Sequence, residues 1–483
     1  MRILLVKPRA ELPTILGLER FTLLEPLELG YLAASVPAGH EVRVLDLRLS
    51  RNPLRAFRRA LKRYRPDLVG LSGYSHEASI VRRLAGVVRA ELPATRVIVG
   101  GHHATVAPED YDVTSIDAVV RGEGCAPFAA IVSALAAGGD LSGIPNVITP
   151  GEGFDAAACA TWPLFPDPAT LPAPRRDLWD ARVYTSVWVC EDPPAWHALY
   201  PPVAMVRTSF GCRMKCSFCV VPYLCGGRHL PRPAEAVVEE IASLGTDHVY
   251  FCDDENFIDE EFAWELAEAL ATRGVRKRYF AWTRSTTVNR SPELLRAWRA
   301  IGLDAAFVGF EFASDRELRA AAKGANVAAN ERALDTLRAM GVAVHAAFMI
   351  TPEYTRDDFE RLRAYVRALP PAQCSFTVCT PSPGTPDYER IRPSIWVPNP
   401  YDLHDCMHPL TPTALPLREF SRRYAVQVAE GVRKTPLRRG SRPVNPWHLA
   451  RATAAGAAYR RGYENIYRDY PRALWDGGPV PAG

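Results

Sequence analysis

The chain has 483 residues, 48% of them apolar and 23% charged, and Lys plus Arg exceeds Asp plus Glu by 58 − 54 = 4. That length asks for two or three domains, and so even a charge balance argues for no particular acidic partner. No stretch reaches the roughly eighteen consecutive apolar residues of a membrane span, and eleven cysteines, an odd number, point to metal or redox chemistry rather than a disulfide framework. The start, Met1 to Pro8, is too soon interrupted for a signal peptide and reads as a buried strand. A cytoplasmic location is expected.

Ile3–Val6, Val42–Leu45, Leu68–Leu71, Val97–Val99 and Ala118–Val120 read as short apolar strands. Amphipathic stretches such as Leu54–Tyr64 and Ala78–Leu92 lie between them. Strands alternating with helices predict an α/β domain over 1–148, a doubly wound parallel sheet covered on both faces. Ligands of such sheets sit beyond the carboxyl ends of the strands. Those ends carry Ser72, Gly73 and Tyr74, then Gly100, Gly101 and His102, then Gly122, Glu123 and Gly124. Glycines clustered at one edge let backbone approach a bulky ligand; His76 and His103 stand beside them. A Pro-rich linker follows over 149–202, including Pro163, Pro166, Pro193 and Pro194, with Cys159 and Cys190 as bystanders.

Alternation resumes over 203–390, with strands predicted at Val203–Arg207, His248–Phe251, Tyr279–Trp282, Ala306–Phe310, Val344–Ile350 and Ser375–Val378. Just after the first lie Cys212, Cys216, Phe218 and Cys219. Three thiolates spaced four and then three positions apart can hold three corners of a cubic iron–sulfur cluster. Full ligation would use four, so a missing fourth implies an iron kept open for a small molecule. Zinc would want four closed ligands, and no second cysteine pair follows at suitable spacing; Cys225 is the one candidate to close the corner. Later strand ends carry Asp253, Asp254 and Glu255, then Arg284 and Ser285, then Glu311, Met349 and the run Thr380 to Thr385. The three acids read equally as an acidic cluster at a helix N-terminus. An ionised Glu311 on an apolar strand needs a partner. Cys252, Cys374 and Cys379 read as core packing.

The cysteine loop, with Gly211 before it and an aromatic residue before its last cysteine, resembles the radical S-adenosylmethionine (SAM) superfamily. The glycine-edged first domain resembles the cobalamin-binding domain that precedes many such enzymes. Together they resemble the cobalamin-dependent radical SAM methyltransferases, and with the segment His408–Phe420 the hopanoid C-methylases among them, over roughly residues 1–430. The resemblance implies a partial (β/α)6 barrel after the first domain, and three cofactors: a [4Fe-4S] cluster on the three cysteines, SAM and cobalamin. It implies that Asp253, Asp254, Glu255, Arg284, Ser285, Glu311 and Met349 lie near SAM. Ser72, Gly73 and Tyr74 would lie near the corrin, and Gly100, Gly101, Gly122, Glu123 and Gly124 near its nucleotide tail; His102 counts among the cobalamin contacts, although His76, His102 and His103 read equally as surface or capping histidines. The histidine-bearing run that ligates cobalt in methionine-synthase-like domains is absent. Methylthiotransferases share the cysteine loop but bind a second cluster through further N-terminal cysteines, and residues 1–124 contain none.

The implied reaction is methylation of an unactivated carbon of a lipid or natural-product substrate, one SAM methylating cobalamin and a second yielding a deoxyadenosyl radical. An external donor of flavodoxin or ferredoxin type would supply electrons. Two alternatives stay open: a non-methylating oxidation, cyclisation or ring rearrangement, and a non-catalytic protein sensing SAM or corrin. The remaining residues, 391–483, are expected to be mainly helical and to cover the substrate. Over 431–483 ten basic residues stand against three acids, interleaved with aromatics. That surface could meet a membrane, although a solvated helix packed on the barrel explains it as well. No nucleic-acid recognition motif is present.

Overall fold

The computed structural model describes residues 1–151, 163, 165, 167–191, 199–435 and 446–476. Cys159, Pro166, Pro193, Pro194, Arg438, Arg439 and Arg442 lie outside the described residues. Two compact units emerge: one of residues 1–11, 26–180 and 223–226, the other of 12–25, 181–222 and 227–483.

In the first unit the sheet runs, in spatial order, Glu41–Asp46, Arg2–Lys7, Leu68–Ser72, Arg96–Gly100 and Ala118–Val120, all parallel. An antiparallel pair of residues, Val147–Ile148, closes the edge. This is the doubly wound α/β order of the flavodoxin type, whose ligand crevice opens where the strand order reverses, beyond Arg2–Lys7 and Leu68–Ser72. Side chains alternate faces along each strand. Leu4, Val6 and Val69 therefore pack under the helices Pro53–Tyr64 and Ala78–Glu91, while Ile3, Leu5 and Leu68 pack under Leu27–Ser35 and Cys125–Ala136.

The second unit holds six parallel strands in chain order: Val203–Val206, His248–Phe251, Arg278–Thr283, Leu303–Glu311, Ala343–Ile350 and Gln373–Val378. Outward residues such as Val249, Phe251, Tyr279 and Ala281 are buried beneath the helices, while the inward set stays partly accessible. Six parallel strands in chain order, covered by helices on one face only, have the arrangement of a partial (β/α)6 barrel. The helix Leu417–Lys434 lies on the last strand: Tyr424 donates to the Phe376 carbonyl at 2.8 Å, and a side chain at Gly431 would collide with the Cys374 carbonyl. A second helix, Pro446–Glu464, follows.

One buried clamp ties distant parts of this unit. His408 donates from one ring nitrogen to Asp405 (2.9 Å) and from the other to Asp469 (3.1 Å), and Asp405 also accepts from Thr14 at 2.6 Å. Burial alone would lower the imidazole pKa, but Asp405 and then Asp469 raise it to about 9. A folded-state pKa above the ordinary histidine value stabilises the fold fully below about pH 6.5 and loses that contribution as pH rises through about 9. The melting temperature should therefore fall across pH 6.5 to 9 in the native protein, and fall less over the same window in His408→Gln.

Candidate functional site

The carboxyl ends of the six barrel strands carry the cysteine loop and most of the charged residues singled out in the sequence. Gly211, with φ of +81°, takes the left-handed turn that starts the loop. Asp253 sits buried at the end of the second strand and accepts from the Thr208 N–H (3.1 Å), the Thr208 hydroxyl (2.7 Å), the Ser209 hydroxyl (2.6 Å) and the Ser209 N–H. Asp254 accepts from the Gly211 N–H at 2.9 Å. These two carboxylates fix the chain entering the loop. Neither caps a helix, because the next helix, Glu260–Thr272, starts later and is capped by Asp259. Glu255 turns the other way, accepting from the Thr283 hydroxyl at 2.8 Å, and burial pushes its carboxyl up to about 7.

The far side of the loop is held as firmly. Arg284 places one terminal nitrogen 3.4 Å from the Cys216 sulfur and donates from the other to the Lys323 carbonyl. The Ser217 N–H donates to the Ala321 carbonyl at 3.2 Å, and its hydroxyl to Asp387 at 2.7 Å. Phe218 packs with Phe312, Leu318, Ala321 and Met349, which places Met349 in the wall behind the loop. Cys379 packs against the same cluster, Cys374 lies in the barrel core and the Cys252 thiol donates to the Val206 carbonyl. Cys225 is buried in the short segment that groups with the first unit.

Glu311 has the partner its environment demands. Lys323 pairs with its carboxylate, and Gly309 leaves the space, since a Cβ there would meet both charged groups. Glu311 itself has φ of +63°, a strained conformation for a side-chain-bearing residue that persists only where its surroundings enforce it. The sequence reading missed Lys323, Ser217 and Asp387. A lone lysine before Gly324 in an otherwise apolar run was the available signal.

Among the described residues no three His, Cys, Asp or Glu side chains converge as ligands of a single ion. A cubane asks for something different, one thiolate on each of three irons. Burial first of all, and after it the charges of Cys216, Asp254 and Cys212, push the Cys219 thiol up to about 12. The donors fit such a cluster, with Arg284 offsetting charge on the sulfur. Two buried polar atoms at the same strand ends, Ser285 Oγ and Arg284 Nε, have no hydrogen-bond partner, which fits a polar cosubstrate such as SAM.

In the first unit, Tyr74 is 54% exposed at the crevice mouth. Its ring lies over the Lys7 ammonium at 4.8 Å, 6.1 Å from the stacked His76 ring and 6.0 Å from His102. Burial works against the Lys7 charge, but Glu28 at 2.9 Å and Glu77 hold its pKa above the ordinary value. Gly101, with φ of +96°, lets the neighbouring loop close on Ser72 and Gly73, and a Cβ at Gly122 would meet Pro163. Gly73 and Gly124 likewise pack against Val81 and Leu32, and a Cβ at Gly100 would meet only ordinary contacts with Val120. Glu123 accepts from the Cys125 N–H at 2.8 Å at the start of a helix. His103 is fully buried between Ser75 (3.2 Å) and Asp110 (3.0 Å), and so is taken up internally. The Tyr74 platform, flat and flanked by imidazoles, fits a large planar ligand such as a corrin.

The B12-binding domain family matches residues 13–132 and the radical SAM superfamily matches 206–366. The chain is 30% identical over 406 residues to hopanoid C-3 methylase of Methylococcus capsulatus, covering 83% of this chain and 75% of that one. It is 24% identical to the anaerobic magnesium-protoporphyrin IX monomethyl ester cyclase of Cereibacter sphaeroides, covering 70% of this chain and 55% of that one. The fold matches the radical SAM methyltransferase TsrM of Kitasatospora setae, solved with cobalamin and a [4Fe-4S] cluster, with TM-score 0.64, 19% identity and coverage of 97% and 98%. The chain thus belongs to the cobalamin-dependent radical SAM methyltransferases, enzymes acting on small molecules with cobalamin, a [4Fe-4S] cluster and SAM as cofactors.

Asp253→Asn would put amide N–H groups against donors that now meet a carboxylate. Such a change should destabilise the protein by about 3 kcal/mol in urea unfolding and lower the iron retained per chain after anaerobic reconstitution. Gly309→Ala should separate Glu311 from Lys323 and weaken SAM binding, read by equilibrium dialysis, while leaving iron content unchanged.

Proposed function

We propose that this enzyme methylates an unactivated carbon of a lipid or related natural product. The observation that carries the reading is the loop with three thiols, pinned by Asp253 and Asp254 on one side and by Arg284 on the other. Cys212, Cys216 and Cys219 would hold three irons and leave the fourth for SAM. Ser285, the guanidinium of Arg284 and the Glu311–Lys323 pair would orient SAM, and Met349 and Phe218 would back the loop. Ser72, Gly73, Tyr74 and His102 would lie near the corrin, and the glycines at 100, 101, 122 and 124 with Glu123 near its tail. When bound, the three cofactors would supply an electron, a deoxyadenosyl radical and a methyl carrier, which suits a carbon that no side-chain base could deprotonate. The domain limits 1–148, 149–202, 203–390 and 391–483 remain part of this reading, as does an electron donor of flavodoxin or ferredoxin type.

A lipid acceptor is supported by the likeness to hopanoid C-3 methylase. The helix Pro446–Glu464 adds Trp447, 83% exposed, and exposed Arg460 and Arg461, which would let it meet a membrane surface. No helix of the described residues is long and apolar enough to cross one. A second reading, radical cyclisation or oxidation, draws on the likeness to the cyclase.

Incubation of the anaerobic holoenzyme with methyl-labelled SAM and lipid extracts tests both. Label in an acceptor, with S-adenosylhomocysteine and 5′-deoxyadenosine both formed, is expected, and Cys212→Ala, Cys216→Ala or Cys219→Ala should abolish it. Deoxyadenosine without S-adenosylhomocysteine would transfer support to the second reading, and corrin retention with neither product would indicate a sensing protein.

A further inference from the structure

The helix Pro53–Tyr64 in the first unit carries charge of one sign only. Residues 47–66 hold eight cations and no acid. The whole chain is at +4, so everything outside that segment sums to 4 − 8 = −4. Phe57, Leu61 and Tyr64 are committed to the core beneath the sheet. The helical period then sends Arg55, Arg58, Arg59, Lys62 and Arg63 outward. All five are exposed, as are Arg51 before them and Arg65 after them.

Other helices neutralise their cations. On the adjoining helix Ala78–Glu91 every arginine has a carboxylate: Arg82 pairs with Asp110, Arg83 with Glu11 and Arg89 with Asp117. The four arginines of Arg356–Ala368, in the second unit, are likewise all paired with acids. On Pro53–Tyr64 Arg58 alone has such a partner, Glu91 at 2.9 Å. Among the described residues Arg55, Arg59, Lys62 and Arg63 make no ion pair. Arg55 and Arg59, Arg59 and Arg63, and Arg58 and Lys62 stand four apart, a spacing at which like charges destabilise a helix. The helix dipole favours Lys62 and Arg63 in the last turn but disfavours Arg55 in the first. Folding therefore gains nothing from this row as a whole.

Phosphate is the anion it fits. Four of the five side chains are Arg, whose planar guanidinium can take two phosphate oxygens at once. The row extends along a helix about 18 Å long, which suits a layer of headgroups better than one small anion. Nucleic acid would call for rings on which bases stack, and Phe57 and Tyr64 are buried. A protein partner would call for an apolar centre with aromatic anchors, and the outer face has none. Its apolar surface lies at the amino end, where Leu49 is 49% exposed and Leu54 half-buried. Side chains of that kind can dip into the boundary of a bilayer beside bound headgroups.

We infer that this face of the first unit docks onto the anionic headgroups of a phospholipid surface. The apolar side of the helix is taken up by its own sheet, so the helix lies on the surface without inserting. Attachment is then electrostatic, reversible and sensitive to salt. The inference goes beyond the methyl-transfer reading and does not depend on it, because docking is read without turnover.

Flotation of the full-length holoenzyme with vesicles tests it, using phosphatidylcholine alone and a roughly 70:30 mixture with phosphatidylglycerol. Binding to the mixed vesicles only is expected, largely lost between about 0.1 and about 0.5 M salt. Arg55→Gln, Arg59→Gln, Lys62→Gln and Arg63→Gln combined should weaken it by about fiftyfold or more. The same variant should retain its iron and melt no lower than the native protein, since repulsion along the helix is relieved; lost binding is then not lost folding. Equal binding to phosphatidylcholine alone would overturn the inference. So would a variant that binds like the native protein while Arg460→Gln with Arg461→Gln, on the helix Pro446–Glu464, removes binding. An affinity for a single-stranded oligonucleotide or for a flavodoxin that exceeds the affinity for vesicles, and is lost in the four-residue variant, would overturn it in favour of that partner.

Discussion

A loop without regular secondary structure can present three thiols reproducibly only if something else holds its backbone, and here that is the buried carboxylate of Asp253. It accepts from two backbone N–H groups and two hydroxyls at the entry to the loop. An isolated buried carboxylate is costly, but several donors converging on it offset its desolvation and turn it into a rigid fastener. Asp254 holds the next turn, and Arg284 reaches the middle cysteine from the end of the third strand. The loop is thereby preorganised before any metal arrives, which is what a site of demanding geometry needs.

Both units follow one rule: parallel strands, covered on their outer faces by helices, leave their carboxyl ends as the place where polar groups can gather. In the first unit that edge offers an exposed aromatic ring flanked by two imidazoles. In the second it offers thiols, an ion pair and unpaired hydrogen-bonding atoms. The Glu311–Lys323 pair shows how tightly the second edge is built: a missing side chain at Gly309 makes room, and a residue with positive φ turns the carboxylate into it. Such pairs add little stability when buried, so positioning is the better account of its presence.

The strands were legible because apolar runs of four to six residues alternating with helical periods have few other interpretations. Ile3–Val6 and Leu68–Leu71 came within a residue or two of their observed limits. The cysteine spacing was equally direct, being local. What was not legible is what depends on contacts distant in sequence. Asp253 read as either a cofactor contact or a helix cap, and its partners Thr208 and Ser209 lie 45 and 44 residues away. Thr14 meets Asp405 across 391 residues, and no local pattern marks residues 12–25 as part of the barrel unit. The glycines at 73, 101 and 122 read as space for a ligand, and the chain's own packing also calls for them, since Val81, Ser72 and Pro163 lie close to where their side chains would begin. Lys323 escaped notice because a single lysine after a helix is ordinary until the fold brings Glu311 beside it.

The central claim is that Cys212, Cys216 and Cys219 alone hold a cubane whose fourth iron accepts SAM. Low-temperature electron paramagnetic resonance of the anaerobically reconstituted, reduced protein measures this most directly, with and without SAM. The account predicts about four irons per chain and a single reduced-cluster signal that shifts when SAM is added. Zinc in place of iron, or a cluster signal indifferent to SAM because Cys225 or another residue closes the fourth corner, would contradict it.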